Sequence, residues 1–244
     1  MNGKRIHLAA IGSTNSYTMD LLSHSDIPEW TVVTSDHQVE GRGQRGRNWN
    51  SEPKANLLCS VFIRPKISVR DQYLISMAVS LAIVDVLVSQ GMVPSIKWPN
   101  DILVNGKKIA GILIENQVKG ERVESSVLGI GLNVNQTDFP SFLWPATSMT
   151  TEAGKRFNLE DVLDELLGQL RLRMTQSFRD ANALSRDHAH WLYGKSEEVA
   201  FSFDGKTLHG ILRGVEASGA LLMTVKEEDR KFFNGEIRLL RTST

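Results

Sequence analysis

Three glycines and three arginines fall within the ten residues Glu40-Gly41-Arg42-Gly43-Gln44-Arg45-Gly46-Arg47-Asn48-Trp49. Such a run packs neither as a strand nor as a good helix. Glycine lets backbone N–H groups approach a ligand closely. Arginine offers a forked, permanently charged donor that matches carboxylate and phosphate oxygens, and Trp49 adds a face on which a base can stack. The chemistry implied is a loop that closes over a nucleotide and a carboxylate. The alternative is a solvated basic loop. The run is neither a Walker A loop nor a dinucleotide fingerprint.

Three further segments carry polar groups where a strand would carry apolar ones. In Lys97-Trp98-Pro99-Asn100-Asp101 the polar pair interrupts two apolar runs, and Pro99 biases Trp98 to an extended backbone. Asn100 and Asp101 are either part of a turn or aimed at a polyanion, with Asp101 then helping to hold Mg²⁺ directly or through water. Lys108 opens the run Lys108-Ile109-Ala110-Gly111-Ile112-Leu113-Ile114-Glu115 just after a tight turn, and Gly111 inside a strand suggests close approach by a ligand or another backbone. In Leu128-Gly129-Ile130-Gly131-Leu132-Asn133-Val134, alternation puts four apolar side chains on one face. Gly129, Gly131 and Asn133 fall on the other. That second face is bare backbone ending in an amide, suited to a flat ring, to an extended chain, or to tight packing against a helix.

The elements that hold these segments are legible in outline. Apolar runs predict strands at Ile6–Ala10, Thr31–Thr34, Leu57–Ile63, Ile96–Trp98, Ile102–Val104, Ile109–Ile114 and Val123–Val134. Helical spacing is clearest over Asp71–Gln90, with Leu74, Met77, Ala78, Leu81, Val84 and Val88 on one stripe, and over Leu159–Phe178. Asn105-Gly106 and Lys119-Gly120 read as hairpin turns. The main domain is therefore α+β, with a mixed or largely antiparallel sheet. Beyond Gly194, four or five short strands with turns at Asp204-Gly205 and Ser218-Gly219 fit a small β-barrel, which divides the chain into residues 1–194 and 195–244.

The composition is that of an ordinary globular protein, and 28 basic against 28 acidic residues weigh against a dedicated DNA-binding protein. Cys59 is the lone cysteine and lies in an apolar run, so a buried thiol is expected rather than a disulfide or nucleophile. The N-terminal apolar stretch is too short for a signal peptide, and Ala78–Val88, broken by Ser80 and Asp85, is too short to cross a bilayer. A cytoplasmic protein with no membrane partner is expected. His188 and His190 are two apart on a helix, on different faces, and suggest no metal site.

Taken together, and in this order, Ser13-Thr14-Asn15, the Gly-Arg-Gly loop ending in Trp49, Lys-Trp-Pro-Asn-Asp, Lys-x-Ala-Gly-Ile-Leu and Gly-x-Gly-x-Asn make the chain resemble the biotin protein ligases (biotin–acetyl-CoA-carboxylase ligases) over essentially its whole length. The resemblance implies a catalytic domain similar to class II aminoacyl-tRNA synthetases followed by an SH3-like domain. It also implies ATP and biotin as substrates, Mg²⁺, and a biotin carboxyl carrier domain as acceptor. Carried over by position, Ser13, Thr14, Asn15, Gln38, Gly41, Gly111, Gly129 and Gly131 serve biotin. Arg42 and Lys108 reach its carboxylate and the α-phosphate. Arg45, Trp49, Asn100 and Asn133 serve the nucleotide, and Asp101 serves the metal. Gln44 departs from the family's Gly-Arg-Gly-Arg loop, which puts retention of the intermediate in question. Twelve residues before Ser13 leave no room for the DNA-binding domain of some members, so no DNA partner is expected. Lipoate or octanoate ligation and a non-catalytic biotin-binding module are the competing readings, and the oligomeric state stays open between monomer and homodimer.

Overall fold

The computed structural model describes residues 3–141 and 144–241. Its elements are β1 (Arg5–Leu8), α1 (Thr14–His24), β2 (Val32–Ser35), β3 (Leu57–Ile63), β4 (Ile67–Ser68), α2 (Tyr73–Ser89), β5 (Pro94–Lys97), β6 (Asp101–Val104), β7 (Lys107–Lys119) and β8 (Arg122–Leu132). They continue with α3 (Met149–Ala153), α4 (Leu159–Arg179), α5 (Ala181–His190), β9 (Glu198–Phe203), β10 (Lys206–Val215), β11 (Leu221–Val225), β12 (Glu228–Phe232) and β13 (Ile237–Leu239). The first eight strands form one mixed sheet in the order β1-β2-β3-β8-β7-β6-β5, with β4 paired to β8. Only the β1–β2 pair is parallel among these strands. The last five form an antiparallel sheet in the order β12-β11-β10-β9-β13. The fold is α+β.

Turn chemistry sets the long β6–β7–β8 meander. Asn105 and Gly106 both take positive φ, 50° and 68°, the conformation a two-residue hairpin needs. β7 then runs on to Lys119, well beyond the expected Ile114, and returns as β8 with Gly111 opposite Gly131. One face of this meander carries Ile112, Leu128, Ile130 and Leu132 into the main core. Its other face is where the glycines lie.

α2 is buried almost all round rather than along one stripe. The sheet lies on one side of it, and α4 and α5 on the other. Leu74, Met77, Ala78, Leu81 and Val84 are buried as expected, but Val88 is exposed near the helix end. The segment Val69–Ser89 is long and apolar enough by composition to cross a membrane, and burial between two layers accounts for that character. Asp85, which breaks its apolar run, accepts two bonds from Arg173 of α4, whose guanidinium also reaches Asp187 of α5. One arginine thus ties three helices together. α4 begins at Asn158, whose side chain accepts from the N–H groups of Glu160 and Asp161.

His188 of α5 is buried, with its ring at the edge of the Tyr73 ring, and His190 is exposed on another face. Burial pushes the His188 imidazole down to about 4. No group of three metal-ligating side chains occurs among the described residues. Cys59 is buried, and desolvation pushes its thiol up to about 12.

The second sheet has its own core of Val199, Phe201, Leu212, Met223 and Phe232, and Trp98 from the large sheet's side belongs to it. The Trp98 indole N–H donates to the Gly219 carbonyl at 3.0 Å. β12 ends at Phe232 and β13 begins at Ile237, so the small sheet has five strands.

Candidate active site

The sequence segments converge on one cavity of about 610 Å³ between the two sheets. Ser13, Thr14, Asn15, Gln38, Arg42, Arg45, Trp49, Asn100, Asp101, Lys108, Gly111, Gly129, Gly131 and Asn133 all line it. Gly41 does not. It lies behind the wall, where its carbonyl accepts from the Trp49 N–H and a Cβ would overlap the Trp49 carbonyl.

One end of the cavity is set by the start of α1. Ser13 is the N-cap residue, and Thr14 and Asn15 follow it on the buried side. The Thr14 N–H and hydroxyl both donate to the Gln38 side-chain carbonyl, at 2.8 and 3.1 Å. The Ser60 hydroxyl is 2.7 Å from the Thr14 hydroxyl and 2.6 Å from the Asn15 amide oxygen. Asn15 Nδ2 donates to Glu115 at 2.8 Å, and Glu115 also accepts from Arg42 at 2.9 Å. This chain of amides and hydroxyls presents fixed donors and acceptors to a polar, uncharged ligand head.

The glycine strip is a place of close approach. A Cβ at Gly131 would come within 2.5 Å of the Trp49 indole, and one at Gly111 within 2.9 Å. At Gly129 it would overlap the Asn15 amide. The flat ring that lies on the strip is thus the chain's own Trp49. Its indole N–H is buried without a hydrogen-bond partner.

The charged centre is a triad in which Lys97 and Asp101 are buried and Lys108 is half-buried. Asp101 receives Lys97 Nζ on Oδ2 at 2.9 Å and Lys108 Nζ on Oδ1 at 2.5 Å. Burial alone would raise the Asp101 pKa, but the Lys108 and Lys97 ammoniums more than reverse that and hold it below the usual carboxylate range. Two ammoniums against one carboxylate leave the triad with one net positive charge facing the cavity. The short β5–β6 connection and the β6–β7 hairpin bring the three together, with Lys97 and Asp101 directly paired across β5 and β6. Lys97 also lies 4.7 Å above the Trp144 ring and Lys108 5.4 Å above the Trp49 ring. With both oxygens of Asp101 taken by lysines, the carboxylate does not fit the expected role of metal ligand.

Asn100 and Asn133 act on backbone here. Asn100 Nδ2 donates to the Ile112 carbonyl at 2.8 Å, and buried Asn133 donates to the Thr147 carbonyl at 3.0 Å. Arg42 is held by Ser16 and Glu115, and Arg45 reaches carbonyls of the second sheet. Lys97, Glu115, Ser60, Trp144 and Asn234 were not singled out from sequence. Lys97 was readable as the first residue of its motif. Trp144 lies in an irregular stretch with no period to mark it.

The chain has relatives among known proteins. A profile of the Biotin/lipoate A/B protein ligase family matches residues 8–133. The chain is 33% identical over 235 residues to the bifunctional ligase/repressor BirA of Bacillus subtilis, covering 93% of this chain and 71% of that one. It is 34% identical over 230 residues to a biotin–[acetyl-CoA-carboxylase] ligase of Mycobacterium tuberculosis, covering 89% and 82%. Its structure superposes on the biotin protein ligase of Aquifex aeolicus in complex with biotin and ATP with a TM-score of 0.77 at 25% identity, over 98% of this chain and 99% of that one. A family match over more than half the length, relatives above 30% identity and a shared fold leave one conclusion: this chain belongs to the biotin/lipoate A/B protein ligase family.

Proposed function

We propose that the protein is an ATP-dependent biotin protein ligase that makes biotinyl-5′-AMP and passes the biotinyl group to a lysine of a biotin carboxyl carrier domain. The observation that carries the reading is the Lys97–Asp101–Lys108 triad opening, with one net positive charge, onto the same cavity as the glycine strip and Trp49. In the first step a biotin carboxylate oxygen attacks the α-phosphorus of ATP, and the bond to pyrophosphate breaks. Two anions must meet, so the barrier is largely electrostatic. Lys108, about a third exposed and oriented by Asp101, supplies a cation at the meeting point. Arg42 joins it by exchanging Glu115 for the ligand carboxylate. In the second step the neutral amine of the acceptor lysine attacks the acyl carbon, the acyl–phosphate bond breaks, and AMP leaves as the amide forms.

Biotin's ring head fits the Ser13, Thr14, Asn15 and Gln38 end of the cavity, and its chain the strip along Gly111, Gly129 and Gly131. Biotin entering the strip displaces the Trp49 indole and frees its face for adenine, with Arg45, Asn100 and Asn133 at the nucleotide end. Magnesium accompanies ATP as the counter-ion of its phosphates, and Asp101 instead keeps its two lysines in place. The loop over 41–49 keeps water from the mixed anhydride. In this reading residues 1–194 form a catalytic domain similar to class II aminoacyl-tRNA synthetases and residues 195–244 an SH3-like domain. A cytoplasmic setting suits the use of ATP.

The test is direct. The protein is mixed with ATP, Mg²⁺, biotin and a carrier domain, and the carrier is weighed by mass spectrometry. One biotinyl group on one lysine is expected, with release of AMP. Transfer of lipoate or octanoate in preference to biotin, or no AMP release, would overturn the reading.

A further inference from the structure

The Gly/Arg loop is tied to the small sheet across about 190 residues of chain. Arg45 Nη1 donates to the Gly235 carbonyl at 3.1 Å and Nη2 to the Asn234 carbonyl at 3.2 Å. Asn234 Nδ2 donates in return to Gln44 Oε1 at 3.1 Å. All four residues line the cavity. We infer that the β12–β13 turn, through Asn234 and Gly235, is a positioning element of the active site that holds the 41–49 loop closed and sets how long the acyl-adenylate is retained.

Four features of the contact support this role. Arg45 is held in left-handed backbone, φ 58° and ψ 44°, an unfavourable state for arginine that needs contacts elsewhere to offset it. Its guanidinium sits close to the backbone of Gly235, where φ is 98° and a Cβ would overlap the guanidinium. The positive φ favours glycine, and an added Cβ would have to push the guanidinium aside. Its partners are also carbonyls, not carboxylates, so Arg45 is oriented while its full charge stays available to an anion in the cavity. Gln44 completes the clasp. An arginine there could only donate, whereas glutamine accepts from the Asn234 amide, so this chain's departure from the Gly-Arg-Gly-Arg pattern has a partner in its own second sheet.

The inference rests on the ligase reading, and the experiment separates the two. Asn234→Ala, Gly235→Ala, Gln44→Ala and the Gln44→Ala/Asn234→Ala pair are compared with the unaltered full-length chain. Two quantities are measured: the release rate of biotinyl-5′-AMP formed in place, and the rate of trypsin cleavage after Arg45 and Arg47 with no substrate added. Asn234→Ala should release the acyl-adenylate about three- to tenfold faster, the effect of one modest hydrogen bond, at unchanged biotin affinity and melting temperature. A merely structural residue would move the last two instead. Gly235→Ala should exceed that, both variants should be cleaved faster in the loop, and the double variant should match Asn234→Ala alone. Release and cleavage in Asn234→Ala and Gly235→Ala within about twofold of the unaltered chain, less than one hydrogen bond is worth, would overturn the inference. If the unaltered protein makes no acyl-adenylate, the ligase reading fails, and the trypsin comparison still decides whether the turn holds the loop.

Discussion

His188 gives the protein an acid sensitivity whose size can be worked out. Its imidazole is 1% exposed, lies at the edge of the Tyr73 ring 6.1 Å away, and has a ring nitrogen with no hydrogen-bond partner. Burial holds its folded-state pKa at about 4, against 6.5 for the free side chain. A depressed folded value means that the unfolded chain binds the proton first. The stability tied to neutral His188 is therefore complete above about pH 6.5, falls as pH drops through the interval, and is gone by about pH 4. Between pH 7 and pH 5 the proton-binding difference amounts to about 2 kcal/mol, a large share of a typical net stability of about 5–15 kcal/mol. His188→Phe keeps an aromatic ring at the site and removes the titration. Urea unfolding followed by circular dichroism at pH 7, 6 and 5 should show the unaltered protein losing that increment and the variant keeping it. Parallel loss in both proteins would refute the reasoning, as would an NMR titration that placed His188 near 6.5.

The cavity yields four more expectations. Lys108→Ala should slow biotin-dependent pyrophosphate exchange by about two to three orders of magnitude while leaving the circular dichroism spectrum unchanged; exchange at the normal rate in a folded variant would contradict it. Trp49→Ala should weaken ATP by about 5- to 150-fold, the range for losing one base–aromatic stack of about 1–3 kcal/mol, and equal loss of biotin affinity in calorimetry would count against stacking. Gly131→Ala drives a methyl group into the Trp49 ring, so it should shift Trp49 fluorescence and weaken biotin; an unchanged spectrum would argue that the ring does not rest on the strip. Asp101→Asn strands two lysines and should cost about 3–5 kcal/mol of stability by chemical denaturation. Because Asp101's pKa is lowered, the contribution it loses is one present above about pH 4 and lost only as pH falls below that.

What the sequence made legible followed from period and turn chemistry. The strand Leu57–Ile63 appears with its expected bounds, and the Asn105-Gly106 turn and α4 lie where expected, because alternation, a left-handed dipeptide and a capped amphipathic stripe are local signals. α1 was missed because Thr14–His24 is mostly polar and buries chiefly Thr14, Asn15 and Thr18, so no apolar stripe marks it. The β11–β12 hairpin was hidden for another reason. Its turn is Lys226-Glu227, both at positive φ, without the glycine or asparagine that normally marks such a turn. Within the site, residue types predicted which side chains would gather but not who would hold whom. That Asp101 serves two lysines, that Arg42 answers to Glu115, and that Trp49 lies on the glycine strip all depend on contacts between segments distant in sequence.

Trp98 has a consequence for modularity. It belongs to the lysine- and aspartate-bearing motif of the large sheet, yet its ring completes the small sheet's interior and its N–H caps the Gly219 carbonyl. A cut at residue 195 would leave the fragment with a hole the size of an indole and the remainder with a large apolar ring in water. The last fifty residues are therefore not a cassette to be exchanged freely between homologues. A chimera would need to carry the tryptophan's counterpart with it, and catalytic motif and appendage should melt as one cooperative unit.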